Sequence, residues 1–179
     1  MRQLIILLGA LLMSACTIQA PHYTPSPGNV SILKKGTKSA TLGEFKATKT
    51  DTAISLRGTK LNSPYNNSYA EYLKSAITQE LEKAQLLSAN SSIIIEANIL
   101  ENDLDASGFS LGEGVIQVEF IITNAGQEVY RNTLIEKIEW ESSFIGAIAI
   151  PNAQLSYPRL IEKLLNALYK DEKFMQIFI

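Results

Sequence analysis

The feature that most constrains the fold is the stretch from residue 92 to 141, in which apolar and polar side chains alternate. A period of two predicts strands that bury one face, and we expect them over residues 92–104, 115–123 and 128–141. The run Asn124-Ala125-Gly126-Gln127 predicts a hairpin turn, because its glycine can adopt positive φ. The three strands therefore form an antiparallel meander with one buried face.

Two amphipathic helices flank this meander. The first covers about residues 68–86 and begins with Ser68 and Glu71, which are spaced as in a capping box. The second covers about residues 157–169, with Pro158 in its first turn. Asp171 is placed to cap a final short helix.

The order of elements predicts the fold class. Residues 40–61 are β-like and supply one or two strands before the first helix. Strand, helix, meander and helix together predict an α+β fold, a two-layer sandwich of a mainly antiparallel sheet with two amphipathic helices on one face. We expect residues 39–179 to form this single domain.

The N-terminus has the pattern of an export signal. Met1-Arg2 is followed by an apolar run of ten residues from Leu4 to Met13, whereas a membrane-spanning helix needs ~20. The sequence Met13-Ser14-Ala15-Cys16 resembles the lipobox of bacterial lipoproteins, with Met13 where leucine is usual. The resemblance implies that residues 1–15 are a signal peptide and that Cys16 receives a diacylglyceryl group and an amide-linked acyl chain such as palmitate. An ordinary signal peptide that happens to contain a cysteine is the alternative.

The residues after Cys16 predict a tether and a location. Residues 16–38 contain three prolines among Ser, Thr and Asn, which is typical of a flexible linker. In the enterobacterial sorting rule that the lipobox resemblance brings, an aspartate after the cysteine retains a lipoprotein in the inner membrane. Thr17 therefore favours the outer membrane with the domain facing the periplasm, and the inner membrane or the cell surface are the alternatives.

Charge and cysteine content exclude several classes. Loss of Arg2 with the signal lowers Lys+Arg from 16 to 15 against 18 acidic residues, a balance of −3. Such a chain has no basic field for nucleic acid or anionic lipid headgroups. Cys16 is the only cysteine, so the domain forms no internal disulfide.

Sequence motifs for catalysis and cofactors are missing. The only histidine, His22, falls in the predicted tether, where nothing would hold it against a nucleophile. Neither a phosphate-binding loop nor a dinucleotide fingerprint occurs, and structural zinc would need more Cys or His ligands. We expect no cofactor and no resident metal.

One acidic loop partly matches a calcium site. Asp103, Asp105 and Ser107 place oxygens at alternate positions before Gly108, as at the start of an EF-hand loop. The glutamate required at the twelfth position is absent, since that residue is Gly114. The alternative is a connection between strands in which these side chains form local turn hydrogen bonds.

Two further features could carry a function. Glu139 and Glu141 share a strand face and could serve a carboxylate-dependent glycan enzyme, although a solvated sheet face has the same pattern. The uncharged segment from Ser142 to Ile150 is either a buried crossover or an exposed loop. Apolar residues are mostly inside proteins, which favours the crossover. An exposed segment would instead form a partner-binding patch, for which the candidates are Trp140, Phe144, Ile145 and Ile148.

Three runs carry a family resemblance: residues 63–73, 101–106 and 140–151. They are similar to small Gram-negative envelope lipoproteins of the YajG type and to the layout of the LptE lipoprotein. That resemblance implies a fold and an envelope location, and it brings no catalytic residues. We therefore expect a membrane-anchored, non-enzymatic binding or assembly factor whose partner is an envelope protein, a glycolipid or a wall polymer. The alternatives are a carboxylate-dependent wall-glycan enzyme and a structural lipoprotein that self-associates through a sheet edge.

Overall fold

The computed structural model describes residues 17–48 and 52–179. The predicted signal peptide and the predicted lipidation site Cys16 lie outside the described residues. The strands are β1 (Thr17–Gln19), β2 (Thr41–Ala47), β3 (Ala53–Leu56), β4 (Thr59–Asn62), β5 (Ile93–Asp105), β6 (Leu111–Asn124) and β7 (Gln127–Glu141). The helices are α1 (Pro27–Leu33), α2 (Tyr69–Ala84), α3 (Gly146–Lys170) and α4 (Glu172–Gln176).

The main sheet has the order β2-β5-β6-β7 and contains the predicted meander. β5 pairs antiparallel with β6, and β6 pairs antiparallel with β7. β2 pairs in parallel with β5. The predicted turn between β6 and β7 is formed by Ala125 and Gly126, at φ 50° and 81°. A second, smaller sheet has the order β1-β4-β3. The α+β class and the mainly antiparallel sheet are therefore confirmed, with three strands instead of one or two between residues 40 and 62.

Helices α2 and α4 begin with the predicted caps. The Ser68 hydroxyl accepts a hydrogen bond from the Glu71 N–H at 3.2 Å, and the Asp171 carboxylate accepts from the Lys173 and Phe174 N–H groups at the start of α4. α2 packs on β2, and α3 packs on β6 and β7. None of the helices in the described ranges is long and apolar enough to span a membrane.

Helix α3 starts eleven residues earlier than predicted, at Gly146 instead of Tyr157. The two prolines that suggested a boundary, Pro151 and Pro158, lie inside the helix. Each proline removes one backbone hydrogen bond. The apolar stripe nevertheless continues upstream through the buried residues Ala149 and Ala153, and this burial keeps the helix intact.

Residues 17–38 do not form the expected flexible tether. β1 pairs with β4 directly after Cys16, and the Ala20 N–H donates to the Asn62 carbonyl at 2.8 Å. Tyr23 and Leu33 are buried in the core. Composition alone suggested a linker, but these few anchoring side chains dock the whole segment against α2 and α3.

A buried carboxylate holds this N-terminal segment to helix α2. Glu80 is fully buried, and its Oε1 accepts hydrogen bonds from the Tyr23 hydroxyl at 2.6 Å, the Ser26 N–H at 3.0 Å and the Asn29 amide at 3.2 Å. Burial raises the pKa of Glu80, and the hydrogen bonds only partly oppose that rise. Burial also raises the pKa values of the neighbouring Tyr23 and Tyr169 hydroxyls, so both stay protonated at neutral pH.

Replacing Glu80 with glutamine should change how stability depends on pH. The folded-state pKa lies above the ordinary value of about 4.5, so the favourable contribution of this group is complete below that value and is lost as the pH rises through the folded-state pKa. Between the unfolded-state and folded-state pKa values, the free energy of unfolding of Glu80→Gln minus that of the parent should increase by about 1.4 kcal/mol per pH unit.

Urea unfolding of both proteins between pH 4 and 8 measures this difference. Glutamine keeps an oxygen that can accept from Tyr23, so the variant preserves the docking of the segment. Parallel stability curves across the whole range would show that Glu80 titrates in the folded protein as it does in the unfolded chain.

Candidate binding surface

Trp140 is not part of an exposed patch. Only 6% of its surface is accessible, and its ring lies over Gly112 on the neighbouring strand β6. A Cβ atom on Gly112 would come within 2.4 Å of the indole ring, so the glycine makes the space that the tryptophan fills. The sequence-based assignment of Trp140 to a binding patch is therefore wrong, and the residue belongs to the core.

The other three candidates are exposed and form the centre of an apolar surface. Phe144, Ile145 and Ile148 have accessible fractions of 74%, 57% and 47%, so the segment after β7 is not the favoured buried crossover. Phe109, 75% exposed, stacks on Phe144 with ring centroids 5.6 Å apart and planes 9° from parallel. We call these four residues together with Leu111 the apolar loop surface.

Arg57 fixes the two loops that carry this surface. Its Nε donates to the Ala106 carbonyl at 2.6 Å, and its Nη2 donates to the Gly108 carbonyl at 3.1 Å. On the other loop, Nη1 donates to the Phe144 carbonyl at 2.9 Å and Nη2 donates to the Ser143 carbonyl at 2.8 Å. One guanidinium group thus joins the β5–β6 loop to the β7–α3 loop, which places the two phenyl rings side by side.

The backbone of Arg57 is itself part of a tight turn. Arg57 and Gly58 have φ values of 49° and 85° and form the two-residue turn between β3 and β4. Turns of this kind need positive φ at both central positions. The sequence patterns do not single out Arg57, Phe109 or Leu111. No local pattern reveals them, because the partners of Arg57 are backbone carbonyls 49 to 87 residues away.

The acidic candidates stand on the outward face of the main sheet. Cross-strand pairing sets Asp105 opposite Glu113, and Glu113 opposite Glu139. These carboxylates line an open depression of about 160 Å³. Hydrogen bonds from Ser107 lower the pKa of Asp105 below its ordinary value. Glu141 lies opposite Leu111 on the same face.

The calcium-like loop forms local turn contacts. Asp103 and Asp105 lie on β5 rather than in the loop, and Asp105 Oδ1 accepts a hydrogen bond from the Ser107 N–H at 2.7 Å. No cluster of three or more His, Cys, Asp or Glu side chains suited to a metal ion occurs within residues 17–48 and 52–179. The geometry agrees with a turn in which Asp105 satisfies the backbone.

Comparison with solved structures shows the fold. A Xanthomonas campestris protein of the DUF330 family is similar over 90% of this chain and 94% of its own, with a TM-score of 0.60 and 13% identity. An uncharacterized protein is similar over 85% of this chain and 97% of its own, with a TM-score of 0.51 and 11% identity. No family model and no curated protein matches the sequence. These structures share the α+β architecture with this chain.

Replacing Arg57 with asparagine should release the apolar loop surface. Asparagine tolerates positive φ, so the turn survives, while all four guanidinium hydrogen bonds are lost. We expect a loss of roughly 1–3 kcal/mol in the free energy of unfolding. Hydrogen exchange should rise most in residues 106–110 and 142–145.

Hydrogen exchange followed by mass spectrometry checks this expectation. The matched control is Lys60→Asn, which removes an exposed cation from the same hairpin. Exchange in both loops that is the same for Arg57→Asn and the parent would contradict the role assigned to Arg57.

Proposed function

We propose that this chain is a lipid-anchored, non-enzymatic binding or assembly factor of the bacterial cell envelope. The observation that carries the proposal is the apolar loop surface, in which two exposed phenyl rings are held in a fixed arrangement by Arg57. Exposed apolar surface of this kind is unusual on a monomer and is typical of contact sites. The lipobox-like sequence at Cys16 supplies the proposed anchor.

The geometry supports binding better than catalysis. A general acid needs a pKa near the working pH, whereas the pKa of Asp105 is lowered. The depression beside it, about 160 Å³, is smaller than the ~300 Å³ at which ligand pockets begin. The competing hypothesis of a wall-glycan enzyme would have to use Glu139 and Glu141, which stand on this open sheet face.

Self-association through the edge of the main sheet is also less well supported. β7 is one of the two edge strands of the main sheet, β2 being the other, and helix α3 reaches two backbone carbonyls of β7. Lys163 Nζ donates to the Lys137 carbonyl at 2.6 Å, and the Asn152 amide donates to the Glu141 carbonyl at 2.9 Å. Covering an edge with a helix in this way is one of the means by which natural sheets protect their edges.

The lipid anchor is tested by the variant Cys16→Ser. Without the thiol no diacylglyceryl group can be attached, so we expect the protein to leave the membrane fraction almost completely. Membrane fractionation with immunoblotting is the measurement. Thr17→Asp is the matched control, since it keeps the cysteine and should move the protein to the inner membrane. Retention of Cys16→Ser in membranes with an uncleaved signal would refute the anchor.

The binding surface is tested by photo-crosslinking in intact cells. A photoreactive amino acid at Phe144 should form adducts with an envelope component, because this ring is exposed at the centre of the apolar loop surface. Val129, also apolar and 48% exposed but near the β6–β7 turn, is the matched control position. Equal labelling at the two positions, or no adduct at Phe144, would argue against a docking role for this surface.

A further inference from the structure

The proposed acylation site is covalently next to the folded domain. Thr17 pairs with Lys60, and the Cα atoms of consecutive residues are about 3.8 Å apart. Since residues 17–38 are docked instead of forming a spacer, acyl chains on Cys16 would hold the domain at the bilayer surface. The inference below therefore rests on the proposed lipidation.

The register of β1 places this anchor at the same end of the molecule as the apolar loop surface. β1 runs parallel to β4, with Thr17 opposite Lys60, so the chain enters β1 at the level of Thr59. Thr59 directly follows the turn that contains Arg57, whose side chain holds the Phe144 loop. Helix α3 lies against β1, since the Gln154 amide donates to the Gln19 carbonyl at 2.6 Å.

The chemistry of this end suits a lipid interface. Phe109 and Phe144 are each about three-quarters exposed. Leu155, which is 63% exposed and lies seven residues after Ile148, continues the apolar surface along helix α3. Residues 142–150 contain no charged side chain. Aromatic rings and aliphatic side chains of this kind enter the boundary between headgroups and acyl chains.

The charges near the apolar loop surface indicate which class of lipid headgroup it could contact. Around the depression next to the apolar loop surface, the four carboxylates of Asp103, Asp105, Glu113 and Glu139 outnumber the one ammonium group, that of Lys137. The Arg57 guanidinium at the loops is engaged by four backbone carbonyls. Negative charge there disfavours anionic headgroups. Contact with a bilayer would therefore depend on apolar insertion into zwitterionic lipid and would gain nothing from anionic lipid.

We propose that the apolar loop surface is a membrane-contact site that inserts Phe109 and Phe144 into the zwitterionic leaflet carrying the Cys16 acyl chains. The anchor and the two rings would then make three points of attachment. Together they fix the orientation of the domain, which a single flexible linkage could not do.

The test uses the full lipidated protein in phosphatidylcholine vesicles. The sulfur of Cys16 is occupied once it is acylated, so Ser110→Cys introduces the only free thiol for an environment-sensitive fluorophore. Ser110 is exposed and adjoins Phe109, so neither ring is altered. The control label is at Val129→Cys, which is twelve strand residues or about 40 Å from the end of β7.

The proposal expects lipids with a quencher on the acyl chain to remove roughly half or more of the Ser110→Cys fluorescence, since interfacial side chains lie within ~10 Å of the acyl region. The Val129→Cys label should be unaffected. Adding Phe109→Ser and Phe144→Ser should abolish the quenching while the protein stays on the vesicles through Cys16. Including phosphatidylglycerol should not increase the quenching.

Three outcomes would overturn the inference or its premise. A Ser110→Cys label as open to aqueous iodide as Val129→Cys would refute membrane contact while leaving the lipid anchor intact. A label shielded from both iodide and lipid quenchers would show that a protein or a second copy covers the surface. If Cys16 itself accepts the fluorophore, the protein is not acylated, and the proposed function fails together with the inference.

Discussion

The candidate surface depends on one guanidinium group. The β5–β6 and β7–α3 loops leave backbone carbonyls without strand partners, and such groups need hydrogen-bond donors. Arg57 supplies four hydrogen bonds from a rigid planar group, two to each loop. A lysine, with a single ammonium on a flexible chain, could not reach both loops in this way. The stacking of Phe109 on Phe144 follows from this arrangement.

A second constraint is the buried carboxylate of Glu80. It collects donors from Tyr23, Ser26 and Asn29, and so it converts a proline-rich segment into part of the domain. Asn29 continues the connection to α3, because its amide also donates to the Glu162 carbonyl and its oxygen accepts from Asn166. These polar contacts act beside the burial of Tyr23 and Leu33, and their partners lie 51 to 137 residues away in sequence.

The part of the fold that sequence predicts is the part governed by local periodicity. Alternation over residues 92–141 predicts the meander, and the Ser68 and Asp171 caps mark the helix starts that the structure shows. Proline misled the prediction twice, at the start of α3 and in residues 17–38, because tertiary burial overrode a local preference.

The site could be predicted only in part for a similar reason. Whether an apolar side chain such as Phe144 is buried depends on which other elements pack over it, and the sequence does not show which elements these are. Trp140 is also apolar, but it is buried, because the absence of a side chain at Gly112 leaves room for its ring. Arg57 lacks any local signature, because its acceptors are carbonyls that belong to distant loops.

The docked N-terminal segment changes what an anchored form of this domain could reach. A flexible tether of some twenty residues would let the domain diffuse several nanometres above a membrane. With β1 starting directly after Cys16, the proposed anchor instead keeps the loop end close to the bilayer. The long strands β6 and β7 would then lead away from it, and their turn at Ala125 and Gly126 would stand about 40 Å from the loop end. That turn, beside which Arg131 joins Glu119 and Glu128 in an ion-pair network, would then face away from the membrane.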